Sequence, residues 1–133
     1  MAAVEPMPMV LMIDDEPDML DLAGQRLEQA GYRVLTATNG LEGLKLARAQ
    51  HPDVILLDIM MPVMDGYHVL QTLHSDPSTQ DIPVVMLTAK GTERDMRTSV
   101  DLGSVCHLGK PYQPQELLGE VELALQRHQM RHV

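Results

Sequence analysis

Aromatic residues are nearly missing from this chain: 133 residues hold three Tyr, no Phe and no Trp. A core without large rings must be filled by Leu, Val, Ile, Ala and the eleven Met, whose unbranched thioethers fit irregular gaps. The aromatic platforms on which single-stranded nucleic acids stack are missing too. Positive charge is scarce. Ten Lys and Arg face nineteen Asp and Glu, a formal net charge of −9. Such a surface repels a phosphate backbone, so direct nucleic-acid binding is not expected. The single cysteine, Cys106, excludes an internal disulfide and fits a reducing compartment. Set in an apolar run, it reads as a buried small residue and not as a reactive thiol. Long apolar runs are absent. Val54–Leu57 and Val84–Leu87 are strand-sized, far short of a bilayer span. Met1–Pro8 lacks the charged and apolar regions of a secretory signal. A cytoplasmic protein without a membrane partner is expected.

What the chain does have is alternation. Five short apolar runs, Met9–Ile13, Arg33–Thr38, Val54–Leu57, Pro83–Leu87 and Val105–Leu108, are separated by amphipathic stretches. Four are almost wholly apolar, as in strands covered on both faces, whereas Arg33–Thr38 is mixed and suits a sheet edge. Pro17 fits a first helical position, Leu20, Ala23, Leu27 and Ala30 repeat at helical spacing, and Gly31 is a stop. Leu41, Leu44 and Ala47 mark a second helix after Thr38-Asn39-Gly40. A third starts near Asp65 and carries Val69, Leu70 and Leu73. A fourth spans about 92–102, and a fifth begins near Gln113–Pro114 with Leu117, Leu118, Val121 and Leu125 on one stripe. Strands alternating with helices across short connections predict a doubly wound, parallel α/β sheet in one domain, residues 8–128, with flexible ends at 1–7 and 129–133.

In such sheets ligands bind beyond the carboxyl ends of the strands. The first run ends at Asp14-Asp15-Glu16, the third at Asp58, the fourth at Thr88 and the fifth at Lys110-Pro111. Carboxylates gathered on one edge repel each other and raise each other's pKa values. A divalent cation with oxygen ligands relieves this, and Mg2+ takes one or two carboxylates plus waters and a phosphate oxygen. Asp58 is then available as a nucleophile toward phosphorus, Lys110 as a point charge and Thr88 as a hydroxyl donor.

Val10-Leu11-Met12-Ile13-Asp14-Asp15-Glu16, Asp58-Ile59-Met60-Met61-Pro62-Val63-Met64-Asp65-Gly66, Met86-Leu87-Thr88-Ala89 and Lys110-Pro111 together resemble the receiver family of bacterial response regulators, over roughly residues 9–128. The resemblance implies a flavodoxin-like, five-stranded sheet of order 2-1-3-4-5 with five helices. It implies Asp58 as phosphoacceptor, Asp14, Asp15, Asp58 and the Met60 carbonyl as the Mg2+ site, Thr88 and Lys110 on the phosphoryl group, and a cis Lys110–Pro111 bond. The donor would be a phosphohistidine on a sensor histidine kinase or a histidine phosphotransfer protein. A downstream effector protein or domain would read the face made of the fourth helix, fifth strand and fifth helix. The module would catalyse its own phosphorylation and dephosphorylation rather than act on an external substrate. At the switch position, where the family usually has Tyr or Phe to follow the movement of Thr88, this chain has His107, which is smaller and titratable. Gly109 before Lys110 is a second departure. Met60 and Lys90 border the path of hydrolytic water in the family, and Met60 cannot orient a water, so slow self-dephosphorylation is expected.

Taken alone, Asp14-Asp15-Glu16 reads as a solvated turn at a helix start, Asp65-Gly66 as a helix entry, and Thr88 as a locally bonded hydroxyl. Two rival functions are weighed. A phosphatase of the haloacid-dehalogenase type wants a second Asp where Met60 stands. A flavin binder needs a phosphate-cradling loop where two carboxylates stand. His51, His68, His74, His128 and His132 show no metal-ligand spacing and read as surface residues, and the Met60-Met61 and Met64 group reads as packing rather than a copper site.

Overall fold

The computed structural model describes residues 7–61, 64–88 and 106–131. Five parallel strands form one sheet, β1 (Met9–Ile13), β2 (Arg33–Ala37), β3 (Val54–Asp58), β4 (Val84–Thr88) and β5 (Cys106–Gly109), in the order β2-β1-β3-β4-β5. Register follows from the apolar runs: Leu11 lies beside Leu35 and Ile55, Leu57 beside Met86, and Leu87 beside Leu108. This is the expected flavodoxin-like, doubly wound topology. Every residue of β3 is buried, whereas β2 shows the mixed burial of an edge.

Successive residues of a strand point to opposite faces, so the sheet divides two cores. Leu11, Ile13, Ile55, Leu57 and Met86 pack under α2 (Gly40–Gln50) and α3 (Gly66–Ser75). Val10, Met12, Val54, Leu56, Val85, Leu87 and Leu108 pack under α1 (Pro17–Gln29) and α4 (Pro114–Arg131). α4 is the fifth helix expected from the sequence. The fourth, at 92–102, lies outside the described residues, as do Ala89 and Lys90 and the side chains of Thr88, Cys106 and His128.

Helix starts obey local chemistry. Pro17 opens α1, the Asn39 side chain accepts from Glu42 N–H at 2.8 Å, and Asp65 accepts from His68 N–H at 2.9 Å. Gly31 has φ 99° just past α1, the left-handed conformation that favours glycine. Two expected stripe residues fall elsewhere. Leu41 is exposed because Gly40, Gly43, Leu44 and Ala47 form the buried face of α2. Ala30 caps α1 and is exposed rather than covered. In α4, Leu117, Val121 and Ala124 are buried, with Leu118 and Leu125 at the margins of the core.

Candidate functional site

The parallel sheet sends all five strand ends to one edge, and there the chain gathers charge. Asp14 follows β1, Asp58 is the last residue of β3, and Lys110 follows β5. The Lys110 ammonium lies 2.8 Å from Asp14 Oδ2, joining residues 96 apart in sequence, and 3.5 Å from Asp58 Oδ2. The longer contact is an ion pair at the outer limit of hydrogen-bond distance. Both carboxylates are withdrawn from water, Asp14 at 1% exposure and Asp58 at 3%.

Backbone groups hold these acids in place. Asp14 Oδ1 accepts from Glu16 N–H at 3.0 Å, and its own N–H donates to Ala37 C=O at 3.1 Å. Asp58 Oδ1 accepts from Met60 N–H at 3.1 Å. Ile59 N–H reaches Leu87 C=O, and Gly66 N–H returns to Ile59 C=O at 2.9 Å, closing the loop behind Asp58. Residue 66 must be glycine for this closure, because a Cβ there would stand 2.5 Å from the Asp58 carbonyl oxygen.

Burial is the largest influence on Asp58 and pushes its carboxyl up to about 6; Lys110 opposes the rise and Asp14 adds to it. Mutual repulsion of the carboxylates, the cause expected from sequence, is therefore the lesser one. Burial alone would lower the Lys110 ammonium, but the hydrogen bond to Asp14 and the charges of Asp58, Asp14 and Glu16 carry it above its ordinary value.

Of the residues singled out from sequence, Asp14, Asp58 and Lys110 come together directly. Asp15 is half-buried beside them. Asp14, Asp15 and Glu16 offer carboxylate oxygens that all lie within 4.8 Å of one another. Glu16, read from the sequence as the end of a turn, thus joins the acidic group, and its adjacency to Asp14-Asp15 was the available signal. Met60 contributes its N–H to Asp58 while its side chain is 69% exposed. Thr88 ends β4 opposite Gly109. His107 is half-buried on β5, opposite Met86, with both ring nitrogens shielded from solvent. Lys110–Pro111 is cis, as expected. Tyr112 was not among the residues singled out from sequence. Burial pushes its phenol up, against the pull of Lys110, and only its nearness to Lys110-Pro111 hinted at it.

A family model described as response regulator receiver domain matches residues 10–122. The chain belongs to the response regulator receiver domain family. This receiver domain is 45% identical over 121 residues to the DNA-binding dual master transcriptional regulator RpaA of Synechocystis, covering 91% of this chain and 50% of that protein. It is 37% identical over 121 residues to the alkaline phosphatase synthesis transcriptional regulatory protein PhoP of Bacillus subtilis, with the same coverage of 91% and 50%. The chain therefore spans about half the length of these curated relatives. Among solved structures it resembles the chemotaxis protein CheY4 of Vibrio cholerae, with TM-score 0.87, 31% identity, and coverage of 90% of this chain and 100% of that one. A CheY-like receiver domain protein of Methanospirillum hungatei gives TM-score 0.88 at 26% identity, covering 95% and 99%. The receiver is thus a signalling module of a two-component response regulator. Among the described residues no helix is long and apolar enough to cross a membrane.

Proposed function

We propose that this receiver takes a phosphoryl group on Asp58 from a phosphohistidine of a sensor histidine kinase or histidine phosphotransfer protein. The observation that carries the reading is one ammonium, Lys110, set between two carboxylates that are almost fully removed from water. Burying two negative charges beside one positive charge is costly for a purely structural pair. Such a cost fits a site built for further charge.

Asp14, Asp15 and Asp58, with the Met60 carbonyl, would hold Mg2+. Glu16 is near enough to contribute through water. The donors are hard oxygens, the chemistry Mg2+ requires. When bound, Mg2+ offsets the negative charge of the carboxylates and of the incoming phosphoryl oxygens. An Asp58 carboxylate oxygen bonds to phosphorus as the donor's N–P bond breaks. The imidazole nitrogen keeps that electron pair and takes up a proton. Lys110 then neutralises phosphoryl charge, and the Thr88 hydroxyl donates to a phosphoryl oxygen. The Thr88 movement would pass to His107, and so to an effector that binds β5, α4 and the segment at 92–102. Self-catalysed dephosphorylation is slow in this reading, because the Met60 thioether cannot orient a water.

Incubation with Mg2+ and acetyl phosphate, followed by mass spectrometry, tests the assignment. One added phosphoryl group is expected, absent without Mg2+ and absent in Asp58→Asn. Persistence of the group in Asp58→Asn would overturn it. Met60→Asn is expected to shorten the phosphoryl lifetime about tenfold, less than a positioned proton-transfer group gives, because an amide only orients the water. An unchanged decay rate would remove Met60 from the account of lifetime.

A further inference from the structure

The residue that touches the acceptor carboxylate through its backbone is a methionine with its side chain in water. Met60 N–H donates to Asp58 Oδ1 at 3.1 Å, and Met61 N–H donates to Ile59 C=O at 3.2 Å, so a tight turn holds Met60 at the rim of the Asp58 carboxylate. The Met60 side chain is 69% exposed, more than any other large apolar side chain among the described residues. Met12, Met61 and Met86 are buried. A core methionine is shielded from oxidants dissolved in water, and its sulfoxide would disrupt the packing around it. Neither barrier protects Met60. Its side chain is open to solvent, and no core is lost when the sulfur becomes polar. Its backbone contributions, the N–H on Asp58 and the carbonyl assigned to Mg2+, do not involve the sulfur.

We propose that Met60 is a reversible oxidation site whose state sets how long a phosphoryl group stays on Asp58, a proposal that rests on Asp58 as the phosphoacceptor. The oxidant is hydrogen peroxide. The thioether sulfur attacks one peroxide oxygen, the O–O bond breaks as the S–O bond forms, and the second oxygen leaves as water with both protons. Sulfur gives up two electrons and the peroxide takes them. A dithiol reverses the step through a methionine sulfoxide reductase: the oxygen departs as water and the dithiol becomes a disulfide. A thioether is a weak hydrogen-bond acceptor. A sulfoxide oxygen carries partial negative charge and accepts strongly. Placed at the rim of Asp58, it holds a water toward the phosphorus, as the thioether cannot. The reduced protein therefore keeps its phosphoryl group long, and the oxidised protein loses it soon.

The whole chain is treated with dilute hydrogen peroxide, quenched with catalase and mapped by peptide mass spectrometry. Met60 is expected to gain its oxygen at least about fivefold faster than the buried Met12, Met61 and Met86. Treated and untreated protein are then phosphorylated with acetyl phosphate and Mg2+, freed of acetyl phosphate, and followed by intact mass. The treated protein is expected to lose the group about tenfold faster, below the roughly hundredfold least effect of a positioned proton-transfer group, because the sulfoxide only orients the water. Methionine sulfoxide reductase with dithiothreitol should restore the slow decay. In Met60→Leu, which retains Cys106 and the exposed Met7, peroxide should leave the decay equal to that of the untreated variant. Oxidation of Met60 no faster than of the buried methionines, an unchanged decay once Met60 is oxidised, or equal acceleration in Met60→Leu would each overturn the proposal. Untreated protein that takes up no phosphoryl group would overturn the Asp58 reading and this proposal with it, whereas normal uptake with an unchanged decay overturns this proposal alone.

Discussion

Arg48 and Asp76 meet at 2.9 Å where α2 faces the turn after α3, and Lys110 and Asp14 meet at 2.8 Å at the carboxyl edge of the sheet. The two contacts are nearly equal in length and alike in chemistry. Around Asp76 the supply of donors exceeds demand: Ser78 gives its N–H at 2.9 Å and its hydroxyl at 2.8 Å, Arg48 adds a third bond, and the carboxyl is held below its ordinary range. Around Asp58 the supply falls short. One backbone N–H and a distant share of one ammonium serve a carboxylate removed from water, and its pKa rises to about 6. A nearby cation therefore does not by itself set a carboxylate's charge state. Hydration and the number of donors decide it. The exposed pair has nothing left to bind, while the buried group retains unmet demand for positive charge.

Removing the buried cation puts this contrast under the most severe test. Lys110→Met should leave two buried carboxylates uncompensated and destabilise the metal-free protein by about 3 kcal/mol at pH 8. Urea unfolding measures it, and the loss should shrink on going to pH 5, where Asp58 protonates. A destabilisation below about 1 kcal/mol would mean that Asp14 and Asp58 are better hydrated than their burial indicates.

Neutralising Asp58 should act in the opposite direction. A carboxyl raised above its unfolded value is penalised in its ionised form in the folded state, so this penalty is absent below about pH 4, grows as pH climbs toward 6, and is then constant. Raising a carboxyl's pKa by one pH unit makes its ionisation costlier by about 1.4 kcal/mol. Metal-free Asp58→Asn should therefore be more stable than the parent by about 1–3 kcal/mol at pH 8, less whatever its contact with Lys110 contributes, and the advantage should fade by about pH 4. Paired thermal unfolding curves across this range show it. An Asn variant less stable than the parent at pH 8 would count against the picture of unmet demand.

Disrupting the exposed pair should matter least. Arg48→Ala is expected to cost no more than about 1 kcal/mol in denaturant unfolding and to lose that cost in high salt, as isolated surface pairs do. A larger, salt-resistant loss would show that this bridge holds the turn after α3 in place.

Much of the architecture was legible because it rests on near neighbours in the chain. Pro17 opens α1 by its fixed backbone angle, Asn39 and Asp65 begin helices through bonds to N–H groups three residues on, and unbroken burial of β3 against mixed burial of β2 was written in their compositions. Leu41 misled for the same reason. Its spacing fitted a stripe, but glycines let α2 approach the sheet so closely that Gly40 and Gly43 took the inward face. His51, left-handed at φ 48° after α2, carried no cue, since its conformation answers to where Pro52 and β3 must go.

Which residues arrive at the carboxyl edge follows from linear order alone. Strand period and chain direction send Asp14, Asp58, Thr88 and Lys110 to the same side of any parallel sheet with these runs. How those residues sit once there was settled by folding: Lys110 closer to Asp14 than to Asp58, Glu16 within the acidic group, and Tyr112 with an orphaned hydroxyl beside α1. The reason is physical. Periodicity is a property of the backbone and can be counted along the chain, whereas desolvation and ion-pair distance depend on packing between segments as much as 96 residues apart.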